Sequence, residues 1–237
     1  MLPIPLIPAV SVLTDIPSAG FDPAAVAGLA GWWRADDLAD LGLQQGQAVE
    51  SWPDASGLGR FLTAAGAVRP TFRANGFGGA GGPAVRFDGV DDRMDFTTPL
   101  GPGVDFTVFL AFRLNKSLNN VLLDASPGYV LWVDVLGFYI YDGQSLASFP
   151  ATLALGSTHI VTVRRADGSV ELFHGGALLG SSSLPTNLAM TALHVGARTD
   201  GSRPFADDLA ELLFFGLALE PADRAGVELY LQQKWGI

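Results

Sequence analysis

Between Gly31 and Leu219 the chain never sustains a helical period, and this constrains the fold more than any one motif does. The stretch is a succession of short runs rich in Val, Ile, Phe, Tyr and Trp, separated by Gly, Asp, Asn and Pro at the spacing of sandwiches and barrels. The runs cover residues 32–34, 84–87, 106–114, 129–134, 138–141, 159–164, 170–173, 193–196 and 209–215. Asp167-Gly168 divides two of them, and both central residues of a type I′ turn need positive φ, so those two strands should pair antiparallel. Asp142-Gly143, Gly175-Gly176 and Asp200-Gly201 mark further turns. No long amphipathic segment intervenes, which argues against a βαβ architecture. The expectation is an all-β fold.

The two ends differ from this pattern. At the C-terminus Pro221 opens a segment in which Val227, Tyr230, Leu231 and Trp235 recur at helical spacing, Lys234 falls in the last turn and Gly236 supplies a stop. A helix is expected there, with Trp235 on its packed face. Asp22-Pro23 pairs an N-cap residue with Pro at the first helical position, which predicts one short helical turn. Before it, residues 1–22 form an apolar arm broken by Pro3, Pro5, Pro8 and Pro17, with no Lys or Arg. That is neither the basic, uninterrupted pattern of a signal peptide nor a membrane helix. Two readings of the arm stand. It is a strand of its own sandwich, or it docks on a partner, lying along a sheet edge because its prolines lack amide hydrogens. The expected organisation is an arm over 1–22 that anchors the chain to a partner or assembly, followed by one sandwich over 23–237.

Charge narrows the partners. Fourteen Lys and Arg against 24 Asp and Glu give a formal net charge of −10, without the basic footprint that nucleic acid or an anionic membrane requires. There is no cysteine, which excludes disulfides, thiolate metal sites and cysteine nucleophiles. Gly76-Phe-Gly78-Gly-Ala-Gly81 has dinucleotide-binding spacing, but it precedes a strand instead of opening a helix, so it reads as a flexible loop. Gly143-Gln-Ser145-Leu-Ala147 lacks the second glycine of a nucleophile elbow, and Ser145 reads as a loop serine. His159, His174 and His194 have no zinc-site spacing and read as sheet or turn residues.

The blocks Gly31-Trp-Trp-Arg-Ala-Asp36, Ser51-Trp-Pro-Asp-Ala-Ser-Gly57, Val85-Arg-Phe-Asp-Gly-Val-Asp-Asp92, Phe106-Thr-Val-Phe-Leu-Ala-Phe112, Leu193-His-Val-Gly196 and Phe205-Ala-Asp-Asp-Leu-Ala-Glu211 follow one another in order. That series, over about residues 28–237, resembles laminin-G-like modules of the concanavalin A-like lectin/glucanase superfamily. The resemblance implies an antiparallel two-sheet jelly-roll sandwich that binds through its concave face or rim loops. Hydrolytic members carry an E-x-D-x-x-E motif. Here the residues two after Glu50, Glu171, Glu211, Glu220 and Glu228 are Trp52, Phe173, Leu213, Ala222 and Tyr230, so that motif is absent and no enzyme is expected. Some members bind calcium at the rim, and Asp88, Asp91, Asp92 and Asp95 offer oxygen ligands, yet their spacing matches no calcium loop and Asp in such turns caps backbone amides. No cofactor is expected, with calcium the alternative.

Sugar binding without catalysis calls for an aromatic face beside planar polar groups. Strict alternation along 129–134 puts Val130, Trp132 and Asp134 on one face, and along 138–141 it groups Tyr139 with Tyr141. If the faces coincide, they form an aromatic strip beside Asp134 and Asp142; otherwise Trp132 and the tyrosines belong to the inter-sheet core. Trp32, Trp33 and Trp52 read as structural. The expected function is a non-catalytic surface protein of a bacteriophage or phage-like particle. It would bind cell-surface polysaccharide through Trp132, Asp134, Tyr139, Tyr141 and Asp142, and be held as an oligomer on other particle proteins by its arm. A purely structural decoration or bridging protein is the alternative. A glycan-active enzyme is a third reading, against which the missing motif speaks.

Overall fold

The computed structural model describes residues 20–96, 100, 104–125, 128–188, 190 and 193–237; the greater part of the apolar arm lies outside the described residues. In chain order the strands are β1 (Leu29–Arg34), β2 (Ser51–Trp52), β3 (Leu62–Thr63), β4 (Thr71–Phe77), β5 (Gly82–Asp88), β6 (Met94–Phe96), β7 (Phe106–Arg113), β8 (Asn120–Ala125), β9 (Gly128–Asp134), β10 (Gly137–Tyr141), β11 (Leu146–Pro150), β12 (Thr158–Ala166), β13 (Ser169–His174), β14 (Ala177–Ser183), β15 (Leu193–Val195) and β16 (Ala206–Phe215). Two α-helices, α1 (Ala35–Asp40) and α2 (Pro221–Trp235), and two single 3₁₀ turns, Pro23–Ala25 with Asp22 as its N-cap and Gly66–Val68, complete the order.

The strands form two eight-stranded antiparallel sheets stacked as a jelly-roll sandwich. Sheet A runs β14-β13-β12-β7-β16-β5-β4, and sheet B runs β11-β10-β9-β8-β15-β6-β3-β2. Strand β16 takes two partners along one side, β5 at residues 206–209 and β1 at residues 211–215. The Asp167-Gly168 hairpin joins β12 to β13 with both residues at positive φ, +50° and +73°. The described arrangement has more strands than the apolar runs announce: β2, β3 and β6 are two or three residues long, β11 and β14 are largely exposed, and β4 and β8 carry polar residues that interrupt their apolar runs.

The central strands of sheet A are buried on both faces. Along β7 Phe106, Val108, Leu110 and Phe112 enter the inter-sheet core, while Phe109 and Ala111 join a second cluster under α2 with Val227, Leu231 and Trp235. This is why β7 reads as an unbroken apolar run: a central strand covered on both sides loses the polar half of its alternation. Helix α2 starts with Pro221 and ends at Gly236 in the left-handed region, φ +64°. The Gly-rich patch is not a free loop. It is the β4–β5 turn on which the end of α2 rests, where a Cβ at Gly78 would collide with the Trp235 carbonyl oxygen and Phe77 meets Trp235 edge-on at 5.3 Å.

A buried carboxylate pins the helix. Glu211 of β16 is fully buried, and its Oε1 accepts from Trp32 Nε1 (2.6 Å) and Tyr230 OH (3.0 Å). Its Oε2 accepts from Lys234 Nζ (2.8 Å) and Trp235 Nε1 (2.9 Å). Burial and the adjacent Glu211 charge push the Tyr230 phenol far above its ordinary pKa, so it stays a donor. A one-residue bulge in β16 between Leu209 and Glu211 aims this side chain under the helix.

Candidate functional site

With sheet A covered on its outer side by α2, the outward face of sheet B is the open sheet surface among the described residues, and there β9 and β10 bring their aromatics together. Trp132 stacks on Tyr139 at 4.4 Å between centroids and 29° between planes. Tyr129 meets Trp132 edge-on at 5.8 Å and Tyr141 at 5.5 Å. The two faces coincide, and Trp132, Tyr139 and Tyr141 are half-buried on the outside of the sandwich instead of filling its core. Phe138 and Ile140 of β10 point the other way, into the inter-sheet core.

Strict alternation misplaces one residue. Val130, expected beside Trp132, is fully buried in the inter-sheet core, and Tyr129 takes its place on the outer face. The cause is an extra residue in β9: Tyr139 opposes Trp132, but Tyr141 opposes Tyr129, so two residues of β10 face three of β9. The same slip appears against β8, where Leu123 opposes Leu131 and Asp124 opposes Tyr129.

The two carboxylates expected beside the strip are turned to the backbone. Asp134 is buried, and its Oδ1 accepts from Leu136 N (2.8 Å) and, at 3.4 Å, from the Tyr139 hydroxyl. Asp142 is buried too, with Oδ1 accepting from Gln144 N and Ser145 N and Oδ2 from Thr186 N. Those amides lower its pKa against the opposing effect of burial. Both aspartates therefore hold the turns that present the aromatics. Ser145 sits in the same β10–β11 turn, its amide donating to Asp142.

Sequence reasoning missed the cationic side of the site. The loop after β15 lays Arg203 over the strip, its guanidinium carbon 4.4 Å from the Trp132 ring centroid and 5.8 Å from that of Tyr129. Beneath the same loop Asp124 is fully buried and accepts from Thr199 N (3.0 Å) and Oγ1 (2.9 Å), with Arg198 Nε 3.6 Å from its other oxygen. The Asp200-Gly201 turn signal marks this loop, but no local pattern says which strands a loop will cover.

The rim aspartates separate into two groups. Carboxylate oxygens of Asp88, Asp91 and Asp92 lie within 4.8 Å of one another and could serve a hard cation as oxygen ligands. Asp88 Oδ1 accepts from Val90 N and Asp91 N, and Asp92 Oδ2 from Asp88 N, so the turn already uses them. Burial, with the charges of Asp88 and Asp91 adding to it, pushes Asp92 up to about 6. Asp95 stands apart, bonded to Arg93 Nε (2.9 Å) and His194 Nδ1 (2.6 Å).

No protein-family model matches the chain, and no curated protein matches it in sequence. Solved structures do. A Trypanosoma rangeli sialidase in complex with sialic acid aligns at TM-score 0.61 and 15% identity over 89% of this chain and 34% of that one, so the chain spans about a third of it. Domain 4 of AbnA, a GH43 extracellular arabinanase from Geobacillus stearothermophilus, in complex with arabinotriose, aligns at TM-score 0.63 and 12% identity over 85% of this chain and 98% of the domain. The binding domain of Paraclostridial Mosquitocidal Protein 1 aligns at 0.59 and 12% over 81% and 52%. At these identities the likeness establishes the β-sandwich fold.

Proposed function

We propose that the protein is a non-catalytic carbohydrate-binding sandwich whose ligand lies along Tyr129, Trp132, Tyr139 and Tyr141. The observation that carries this reading is the outward placement of four aromatic rings on two neighbouring strands, where the core does not need them. A sugar ring offers an apolar face to such a surface, and contiguous aromatics that keep part of their rings in solvent, as Trp132, Tyr139 and Tyr141 do, mark binding sites. The near-complete alignment with an arabinanase domain in complex with arabinotriose supports the same reading, as does that with a sialidase in complex with sialic acid. Two facts favour binding over hydrolysis. Glu171, Glu211, Glu220 and Glu228 belong to sheet A or to α2 and its cap. Glu50 precedes β2, the opposite edge of sheet B from the strip. The setting proposed with this function is the surface of a phage-like particle, with residues 1–22 as the mount.

The test is a glycan array with neutral and acidic polysaccharides, followed by titration of Trp132→Ala and Tyr139→Ala. Both variants should lose binding while the melting temperature falls by only a few degrees, because a half-exposed aromatic contributes less to stability than the roughly 3–5 kcal/mol of a buried one. Absence of binding to any glycan would favour a purely structural role, and unfolding of either variant would assign its ring to the core.

A further inference from the structure

Arg203 occupies a position that costs the chain more than a surface arginine should. Its backbone is in the left-handed region at φ +54°, fixed there by Val121 N donating to its carbonyl (3.1 Å), and Lys116 Nζ bonds the next carbonyl, of Pro204, at 3.1 Å. A non-glycine residue held in this region marks stored strain of the kind found at ligand clamps. The guanidinium then lies on the Trp132 ring, where a sugar would stack. It also lies 5.8 Å from the Tyr129 ring centroid.

In this arrangement two donors are wasted. Arg203 Nη1 and Trp132 Nε1 are both buried, and neither has an acceptor. A buried donor without a partner is penalised beyond what an ordinary hydrogen bond gains, so the stacked state is poorly satisfied. Both orphan atoms are donors, which sets the chemistry of what would relieve them: an acceptor group, negatively charged to suit a guanidinium, and planar to match its fork. The neighbouring carboxylates do not supply it: Asp124 Oδ2 accepts from Thr199 while its Oδ1, which takes no hydrogen bond, is turned to Arg198 at 3.6 Å, and Asp134 and Asp142 serve turns.

We infer that the strip takes a carboxylated saccharide, with Arg203 swinging off Trp132 to pair with the carboxylate while the sugar ring stacks on Trp132 and Tyr139. This inference rests on the carbohydrate-binding reading above and adds the ligand class. Backbone anchoring through Val121 confines the movement to the side chain, so the loop stays in place.

The experiment is isothermal titration of the full chain with polygalacturonate, hyaluronan and alginate, each alongside its methyl ester, which keeps the sugar and removes the charge. At least one acid should bind about tenfold to a hundredfold more tightly than its ester, the range of one charge-assisted bidentate contact. Arg203→Met should abolish that difference, acid and ester then binding alike, and Arg203→Lys should fall between, since an ammonium carries charge without the fork. Trp132→Ala should weaken acid and ester alike. Equal affinity of wild type for acids and esters would overturn the inference and leave the carbohydrate reading standing, as would binding confined to neutral glycans on the array. Failure to bind any acid, ester or array glycan would overturn both. Melting curves of the two Arg203 variants report whether the loop is intact, and an Arg203→Lys variant that keeps the full preference for the acid, with normal melting, would overturn the bidentate contact.

Discussion

Glutamine in place of Glu211 is the substitution that bears most directly on how α2 is held. Glu211→Gln keeps the carbonyl oxygen that accepts from Trp32 and Tyr230, but it puts an NH₂ group where Oε2 met Lys234 Nζ and Trp235 Nε1. Donor then faces donor at a fully buried position. Lys234 keeps Asp36 as a second partner at 2.5 Å, with its side chain 20% exposed, so its loss falls at the low end. The Trp235 indole has no such alternative among the described residues. At about 1–3 kcal/mol for each buried donor left without an acceptor, the two losses sum to about 2–5 kcal/mol. For a chain of this size each kcal/mol moves the melting temperature by about 2–4 °C, so a fall of about 4–20 °C is expected.

The assay is urea unfolding followed by far-ultraviolet circular dichroism and by tryptophan fluorescence, since Trp32 and Trp235 both bond the altered group. Lys234→Met in the Glu211→Gln background supplies the control. Once the carboxylate is gone the ammonium has lost half of its reason to be there, so the double variant should be more stable than the sum of the single losses by about 1 kcal/mol or more. A Glu211→Gln variant within about 1 kcal/mol of wild type, or strictly additive losses, would show that apolar packing alone seats the helix and that the carboxylate is incidental.

Two further predictions concern pH. His159 Nδ1 lies 3.1 Å from His174 Nε2 at one end of the inter-sheet core, and burial, helped by His174, pushes His159 down to about 4 from 6.5. Its unfolded form takes up a proton that the folded form refuses, so stability is full above pH 6.5 and is lost as pH falls toward 4, by up to about 3 kcal/mol. His159→Phe should lose correspondingly less than wild type across that window; parallel profiles by urea unfolding would refute the assignment. Asp92 has the opposite sign: its folded pKa of about 6 exceeds the unfolded 3.8, so its ionisation costs stability above pH 6 and the cost disappears below 3.8. Asp92→Asn, which can still accept from Asp88 N, should therefore be about 1–3 kcal/mol more stable than wild type at pH 7.5 and converge with it near pH 3.5. A calcium-dependent rise in the wild-type melting temperature at pH 7.5 would contradict the view that the turn consumes these carboxylates. Asp207 is also pushed up to about 6, by burial first, so both tests are read as differences between variant and wild type at each pH.

Much of the fold was legible in the sequence because its signals are local. Positive φ at Asp167 and Gly168 is a property of two residues, and the Val227, Leu231 and Trp235 stripe is a property of one helix. The short strands were not legible, since Ser51-Trp52 or Leu62-Thr63 become strands only when a distant neighbour supplies the ladder, here β3 and β6. The glycine patch misleads for a related reason: Gly78 is small because the carbonyl of Trp235, far away in sequence, passes over it. At the site, Trp132, Tyr139 and Tyr141 followed from alternation, whereas Arg203 depended on where a loop lands.

What alternation cannot register is an inserted residue, and two insertions decide the chemistry of this molecule. In β9 the bulge moves Val130 into the core and turns Tyr129 toward Trp132 and Tyr141, which widens a stacked pair into a strip that Arg203 can span. In β16 the bulge lets Ala210 and Glu211 both face α2, so that a carboxylate lies under the helix instead of in the inter-sheet core, where no donors wait for it. A bulge costs a ladder bond and changes the local twist, and it is tolerated where a side chain has to be re-aimed. One bulge secures the helix that closes the outer face of sheet A, and the other shapes the aromatic surface of sheet B. The first therefore determines which sheet is left open, and the second what that open sheet can bind.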